Sequence, residues 1–250
     1  MARSASPRSA TTAAEANTPW DIRVGECLAG LAELDPGSVD VVITDPPYEA
    51  EAHTSGRLVA RAGGKLAVEP ITFPPITEEQ RAESSRQMVR LARRWILVFC
   101  QVEAAMKWRH ALEAAGAVYK RTCLWVKPDG KPQYSGDRPG VGYESIVACH
   151  APGRSTWNGG GSHGVFIVNK GGDPRTGHQT QKPLALMELL VRLFSEPGEL
   201  VLDPFAGSGS TGVAAIRLGR RFLGWEMNPE YARVARRRLT AAREQLQLDL

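Results

Sequence analysis

A glycine-rich segment near the carboxyl end of the chain, residues 203–212, constrains the fold more than any other feature. It lies between the apolar run 200–202 and a stretch with helical character. Glycines at a strand-to-helix turn let a ligand approach the backbone, and the first helical turn offers unpaired N–H groups. Gly207, Gly209 and Gly212 also match the G-x-G-x-x-G dinucleotide fingerprint. The segment therefore predicts a cofactor loop, with a tight turn that binds no ligand as the alternative.

The position of this loop in the chain further limits the folds that the chain can adopt. Only 38 residues follow Gly212. A dinucleotide-binding fold needs most of its sheet after the fingerprint, so the sheet must include strands from earlier in the chain. This order is unusual for an NAD-dependent dehydrogenase. Glu226 ends the next predicted strand, where a carboxylate can accept hydrogen bonds from ribose hydroxyls.

The remaining sequence alternates short apolar strands with helices, which predicts a doubly wound, mostly parallel α/β sheet covered on both faces. Thr77 and Gln80 have the spacing of a capping box, and Pro229 takes the first position of a long helix. The predicted strands are 22–24, 39–43, 95–100, 117–127, 145–150, 165–168, 200–202 and 222–225. The predicted helices are 77–94, 102–115, 183–194, one that ends near 218, and one from 229.

The segment 127–182 differs from the rest because it holds 12 of the 25 glycines and only two short strand patterns. It is therefore predicted to be a loop-rich insert. We divide the chain into a disordered tail (1–18), a first α/β half (19–126), the insert (127–177) and a second α/β half (178–250).

The composition excludes few classes of protein, but its basic balance is consistent with a nucleic-acid partner. The chain has 250 residues and a net charge of +4, and 42% of its residues are hydrophobic, which is enough for one large core. No apolar run is long enough to span a bilayer. The four cysteines contain no CxxC unit, so we predict buried thiols in a reducing compartment and no metal site.

A second turn, Asp45-Pro46-Pro47-Tyr48, directly follows the strand predicted at 39–43. The Asp45 carboxylate and the Pro46 carbonyl could accept the two N–H bonds of an exocyclic base amine, and Asp45 could also receive its proton. Two prolines stiffen such a turn. Tyr48 offers a ring to a flipped base, a contact worth about 1–3 kcal/mol. A plain turn with residues chosen for geometry is the alternative.

Four stretches of this sequence, in this order, resemble the class beta DNA amino-methyltransferases. In that family the catalytic motif precedes the cofactor motif, with target recognition between them. The resemblance thus implies that 19–126 is the catalytic half, 127–177 the target-recognition insert and 178–250 the cofactor-binding half. The resemblance covers about 20–126 and 176–240. The stretches are 23–27 together with 45–48, then 178–184, 203–210 and 224–231.

The resemblance implies S-adenosylmethionine as the cofactor and assigns roles to individual residues. Asp45 and the Pro46 carbonyl would hold the target amine, and Tyr48 would stack on the base. Glu226 would hold the ribose, and Lys182 would lie near the cofactor carboxylate. The cofactor loop would contribute Asp203, Phe205, Gly207, Ser208, Gly209 and Ser210.

Two positions depart from the family pattern. Glu26, which with Cys27 would border the adenine of the cofactor, stands where the family commonly has Asp. Ser210 replaces the usual Thr and keeps the hydroxyl. Outside the motifs, Trp125 could form a second wall around the flipped base or could be a core residue beside Cys123. Four arginines of the last helix are interpreted as a solvated face: Arg233, Arg236, Arg237 and Arg238.

These features together predict a site-specific DNA methyltransferase that acts on the exocyclic amine of a flipped base. In the resembling family, Asp before Pro-Pro-Tyr favours adenine N6, and cytosine N4 is the alternative. An NAD-dependent dehydrogenase and a non-catalytic DNA-binding module are more distant alternatives. The expected partner is double-stranded DNA, with no membrane association, in the cytoplasm of a bacterial or phage-infected cell.

Overall fold

A computed structural model describes residues 18–49, 57–60, 66–69, 75–130, 132–133, 136–172 and 181–248. Except for Thr18, the tail predicted at 1–18 lies outside these ranges. His178, Gln179 and Thr180 of the third resembling stretch also lie outside them. No helix in the described ranges combines the length and apolarity that crossing a bilayer requires.

An eight-stranded sheet forms the centre of the fold, with the strand order β1-β10-β9-β2-β5-β7-β6-β8. Neighbouring strands are parallel except where β7 meets β5 and β6, because β7 runs in the opposite direction. The remaining two strands, β3 and β4, form a separate antiparallel hairpin. The strands are β1 Trp20–Val24, β2 Val41–Thr44, β3 Arg57–Ala60, β4 Leu66–Glu69, β5 Trp95–Cys100, β6 Val118–Val126, β7 Tyr143–His150, β8 Val165–Ile167, β9 Leu200–Asp203 and β10 Arg221–Glu226.

Helices cover both faces of the sheet, which confirms the predicted doubly wound class. Alternate residues of β2 face opposite layers of helices. Val41 and Ile43 pack with the helices at 184–194, 210–217 and 229–248, whereas Val42 packs with the helices at 27–32, 78–91 and 105–114. The helices are α1 Cys27–Ala32, α2 Glu78–Leu91, α3 Ala105–Ala114, α4 Leu184–Phe194, α5 Ser210–Arg217 and α6 Pro229–Leu248, with a 3₁₀ turn at Val102–Ala104.

The helix boundaries follow local chemistry closely. The capping box of α2 forms as predicted, with Thr77 and Gln80 bonding reciprocally. This helix ends at Leu91 rather than at 94, because Ala92 is extended and pairs with Val39 in an isolated bridge. The segment predicted as one helix at 102–115 begins as the 3₁₀ turn, and Gly116 follows α3 with the expected positive φ, 101°.

Two strands of the main sheet lie inside the range predicted for target recognition. Strand β7 is inserted between β5 and β6, and β8 is the edge strand beside β6. The described parts of that range outside the sheet are therefore the loops before β7, between β7 and β8, and after β8. The division at residues 127 and 177 stays a prediction.

Candidate active site

The two turns singled out in the sequence leave the sheet at the same edge. Strands β2 and β9 are adjacent and parallel, with Val42 opposite Leu202. The Asp45 turn follows β2 and the glycine-rich turn follows β9, so both lie at the carboxyl edge where ligands of open α/β sheets bind. The Thr44 hydroxyl joins the two strand ends by donating to Asp203 Oδ1 over 2.7 Å.

Asp203 holds the start of the cofactor loop together. Its Oδ1 also accepts from the Phe205 N–H at 3.1 Å, and its Oδ2 accepts from the Thr211 hydroxyl at 2.6 Å. The residue is only 2% exposed. Burial raises the pKa of its carboxyl to about 6, although the three hydrogen bonds act in the opposite direction. The hydroxyls of Thr44 and Thr211 were not predicted from the sequence, because nothing local links them to Asp203.

The glycines of the loop are required by backbone geometry and by packing. Gly207 and Gly209 have positive φ angles of 53° and 80°, a region that other residues avoid. A Cβ on Gly212 would lie 2.6 Å from the Phe222 ring and 2.8 Å from Leu239, so this glycine lets α5 approach β10 and α6. The spacing of the fingerprint glycines predicts three roles: a tight turn, a close approach of the backbone to a ligand, and packing of the helix on its neighbours.

Glu226, at the end of β10, closes the other side of the loop. Its two carboxylate oxygens accept from the Gly207 N–H at 2.9 Å and from the Asn228 N–H at 2.7 Å. Burial raises the pKa of this carboxyl, against the effect of these bonds. Each oxygen has two lone pairs, so the carboxylate keeps acceptor positions for two further donors.

The segment Gly25–Cys27 lies beside the end of β10. The Gly25 N–H donates to the Glu226 carbonyl at 3.1 Å. Glu26 caps α1 by accepting from the Ala29 N–H at 3.2 Å, and Cys27 is buried behind it. The longer Glu side chain, where the family commonly has Asp, thus serves as a helix cap.

The Asp45 turn is bound to a buried ammonium group. Lys182 Nζ lies 2.5 Å from Asp45 Oδ2, 3.2 Å from Glu144 Oε2 and 3.4 Å from the Tyr48 hydroxyl, and the Lys182 side chain is 8% exposed. Lys182 was expected near the cofactor carboxylate. The structure places its charge between two protein carboxylates. Burial lowers the pKa of Lys182, but Asp45 and Glu144 outweigh that effect and raise it.

Glu144, at the start of β7, is the centre of this network. It accepts from the Tyr48 hydroxyl at 2.8 Å and from Lys127 Nζ at 2.6 Å. Burial would raise its pKa, but Lys182 and Lys127 lower it to about 2. Asp45 has the opposite tendency: burial raises its pKa, and the Lys182 charge opposes that shift only in part. The environments of the two carboxyls thus separate their proton affinities.

The structure bears on two further interpretations of the sequence. Trp125 is 1% exposed and its Nε1 donates to the Val168 carbonyl at 2.8 Å, which agrees with the alternative that it is a core residue and not with base stacking. Of the four arginines of α6 interpreted as a solvated face, Arg233, Arg236 and Arg237 are exposed as predicted, whereas Arg238 is partly buried. Arg236 donates to the Ile22 carbonyl at 2.6 Å, and Arg238 donates to the Ser208 carbonyl at 2.7 Å.

Arg238 is therefore a support of the cofactor loop that the sequence did not reveal. Its Nη1 lies 3.2 Å from the Ser208 hydroxyl and 3.3 Å from the Ser210 hydroxyl, in addition to its bond to the Ser208 carbonyl. Both serines are buried. Helical periodicity gives the direction of a side chain from the helix axis but not which loop it meets.

Comparison with known proteins finds DNA methylases as similar proteins. A family model described as DNA methylase matches residues 162–237. Type II methyltransferase M2.DpnII of Streptococcus pneumoniae is 29% identical, over 86% of this chain and 87% of the relative. DNA adenine methyltransferase YhdJ of Escherichia coli K12 is 28% identical, over 87% of this chain and 82% of the relative.

Solved structures with a similar fold cover most of this chain. The M1.HpyAVI–SAM complex superposes with a TM-score of 0.67 at 25% identity, covering 88% of this chain and 98% of that one. The cytosine-N4-specific PvuII DNA methyltransferase gives a TM-score of 0.68 at 15% identity, covering 91% and 92%, and this likeness concerns the fold alone.

The fold and its two turns define an S-adenosylmethionine-dependent methyltransferase. The alternative of an NAD-dependent dehydrogenase is not supported. Similarity to DNA methyltransferases extends over most of the chain, and its reaction is the transfer of a methyl group to DNA.

Proposed function

We propose that this enzyme methylates the N6 amine of adenine at a specific site in duplex DNA, and that Asp45, Pro46 and Tyr48 contact the flipped base. One observation supports the proposal most strongly. Asp45 Oδ2 is held by Lys182, whereas Asp45 Oδ1 is buried and has no hydrogen-bond partner within the described ranges. An unpaired buried acceptor is unfavourable by about 1–3 kcal/mol, so the site favours a ligand that donates an N–H there.

The chain's own groups suit the requirements of an amine nucleophile. The Asp45 carboxylate and the Pro46 carbonyl accept the two N–H bonds, and Tyr48 presents its ring to the base. Burial raises the pKa of Asp45, which makes it a better proton acceptor as the amine gains its methyl group. Because Oδ1 is inaccessible in this structure, side chains around the turn must move before a base can enter.

S-adenosylmethionine supplies an electrophilic methyl group and a positive charge, and the residues after β9 and β10 fit it. Glu226 has acceptor positions left for two ribose hydroxyls, and Asp203 places a carboxylate near the cationic portion. Glu26 and Cys27 border the adenine in this proposal. The loop residues Phe205, Gly207, Ser208, Gly209 and Ser210 provide the remaining contacts. Lys182 is assigned to the base side, because two carboxylates already engage it.

Adenine is favoured over cytosine N4 for two reasons. Asp45 precedes Pro-Pro-Tyr, and a relative that covers most of this chain is named a DNA adenine methyltransferase. The loops of 127–177 would contact the duplex, between a catalytic half (19–126) and a cofactor-binding half (178–250). With DNA as its substrate, the enzyme would act in the bacterial cytoplasm.

The test is methylation of duplex DNA with labelled S-adenosylmethionine, followed by digestion to nucleosides. We expect N6-methyladenine, and methylcytosine alone would overturn the choice of base. Asp45→Ala should lower the rate by about 100-fold or more while cofactor binding persists. Asp35→Ala, which alters an exposed aspartate, is the matched control. Full activity of Asp45→Ala would remove Asp45 from the mechanism.

A further inference from the structure

We infer that Glu144 is a positioning residue for methyl transfer, which orients Tyr48 through its hydroxyl and shares the Lys182 ammonium with Asp45. The inference rests on the proposed function, since it assumes that the turn at residues 45–48 binds the target base. Glu144 belongs to none of the resembling motifs and lies 96 residues from Tyr48 in the sequence.

The geometry ties Glu144 to both ends of the turn. One of its oxygens, Oε2, accepts from the Tyr48 hydroxyl at 2.8 Å and lies 3.2 Å from Lys182 Nζ. Lys182 in turn reaches Asp45 Oδ2. Glu144 Oε2 therefore links Tyr48, which faces the base in the proposed function, to Asp45, which accepts from the base amine, through Lys182.

Charge balance explains why Glu144 stays ionised in this setting. Two carboxylates, Asp45 and Glu144, face two ammonium groups, Lys182 and Lys127. Lys127 bonds the other Glu144 oxygen, Oε1, at 2.6 Å. With its own cation, Glu144 can accept from Tyr48 without depriving Asp45 of Lys182. Truncating any of the four would leave a buried charge without its partner.

The reversed direction of β7 places Glu144 at the active-site edge. The parallel strands reach this edge with their last residues, whereas β7 reaches it with its first ones. Glu144 stands opposite Trp125 in the pairing of β6 with β7, and Lys127 follows directly after β6. The Lys127 N–H is fixed by the Gly142 carbonyl at 2.7 Å. Rigid strands rather than loops thus hold the network.

The experiment compares Glu144→Gln, Tyr48→Phe and the double variant with wild type. Glu113→Gln is the control, because Glu113 pairs with Arg109 on the exposed side of α3. Each measurement uses the full chain and duplex DNA that contains the target site. The readouts are kcat, KM for DNA, cofactor affinity, and the fluorescence of 2-aminopurine at the target position, which reports base flipping.

Loss of a hydrogen bond to a charged group predicts a fall in kcat/KM of about 10- to 100-fold for Glu144→Gln. Cofactor affinity should stay at the wild-type value. Since Tyr48→Phe removes the same contact from the other side, the double variant should lose less than the product of the two single losses. The 2-aminopurine signal should fall in all three variants and not in Glu113→Gln.

The pH profile separates positioning from a merely structural role. Within the described ranges, the ionisable groups that face Asp45 are Lys182, Glu144, Lys127, Tyr48, Asp203 and Cys100. The negative charge of Glu144 raises the pKa of Asp45, so Glu144→Gln should move the acid limb of kcat/KM to lower pH. Tyr48→Phe keeps the Glu144 charge and should leave that limb in place.

Distinct outcomes contradict the inference and the proposed function. Wild-type kcat/KM and an unmoved acid limb in Glu144→Gln, with Asp45→Ala inactive, would overturn the inference alone. Full activity of Asp45→Ala would overturn the proposed function. If Glu144→Gln also loses cofactor affinity, its effect on catalysis is not specific, and Tyr48→Phe then tests the Tyr48–Glu144 contact. An unchanged 2-aminopurine signal in Tyr48→Phe would overturn the role of that contact.

Discussion

Replacing Asp203 with asparagine is expected to stabilise the cofactor-free protein, and to do so more at alkaline than at acidic pH. The carboxyl is buried, and its pKa in the folded protein is about 6, against an ordinary value of 3.8. Between these values the folded state binds more protons than the unfolded state, so stability falls as the pH rises through this window. The ionised carboxylate then destabilises the fold by about 3 kcal/mol at about pH 8, but by only about 1.5 kcal/mol at about pH 5.

Asparagine should remove this pH-dependent loss while it keeps the hydrogen bonds. Its oxygen can accept from the Thr44 hydroxyl and the Phe205 N–H, and its amide can donate to the Thr211 hydroxyl. Urea unfolding at the two pH values measures the gain. Asp35→Asn, at an exposed position, should show no comparable difference. An equal gain from Asp203→Asn at both pH values would refute the reasoning. Cofactor affinity should fall in the same variant, because the proposed site sets the Asp203 charge near the cationic part of the cofactor.

Two further substitutions test the cofactor loop. Gly212→Ala places a Cβ against the Phe222 ring and should lower the free energy of unfolding by about 1–3 kcal/mol in thermal or urea melts; wild-type stability would show that the packing can relax. Arg238→Met removes the bond to the Ser208 carbonyl and should weaken S-adenosylmethionine binding about tenfold by calorimetry, whereas unchanged affinity would mean that the loop holds its shape without it.

The sequence predicted the fold class and both turns because the relevant signals are local. A buried strand that stops at Asp-Pro-Pro can only lead into a loop, and glycines at fixed spacing after an apolar run require a tight turn. The predicted strands at 95–100 and 200–202 coincide with β5 and nearly with β9 for the same reason. Such signals need no knowledge of which strands pair.

The parts that depend on strand pairing could not be predicted in this way. Nothing in the apolar run 145–150 says that it lies between β5 and β6, so Glu144 could not be placed near Tyr48. Whether Trp125 is a core residue or a wall beside the flipped base also depends on how the strands pair. On a strand it shares a face with Cys123, and only the sheet topology shows that helices bury this face.

Because all four thiols are buried, their reaction with an alkylating reagent reports local opening of the fold. Cys27 on α1 and Cys100 and Cys149 on the sheet are buried in the layer between the sheet and α1, α2 and α3, whereas Cys123 is buried on the opposite side of the sheet. Burial raises the pKa of Cys27 and Cys149 to about 12 and that of Cys123 to about 11, so the native protein presents almost no thiolate. Alkylation of each cysteine should therefore follow the local separation of helices from the sheet. Mass spectrometry of the modified peptides would show which layer detaches first and whether a bound cofactor keeps it closed.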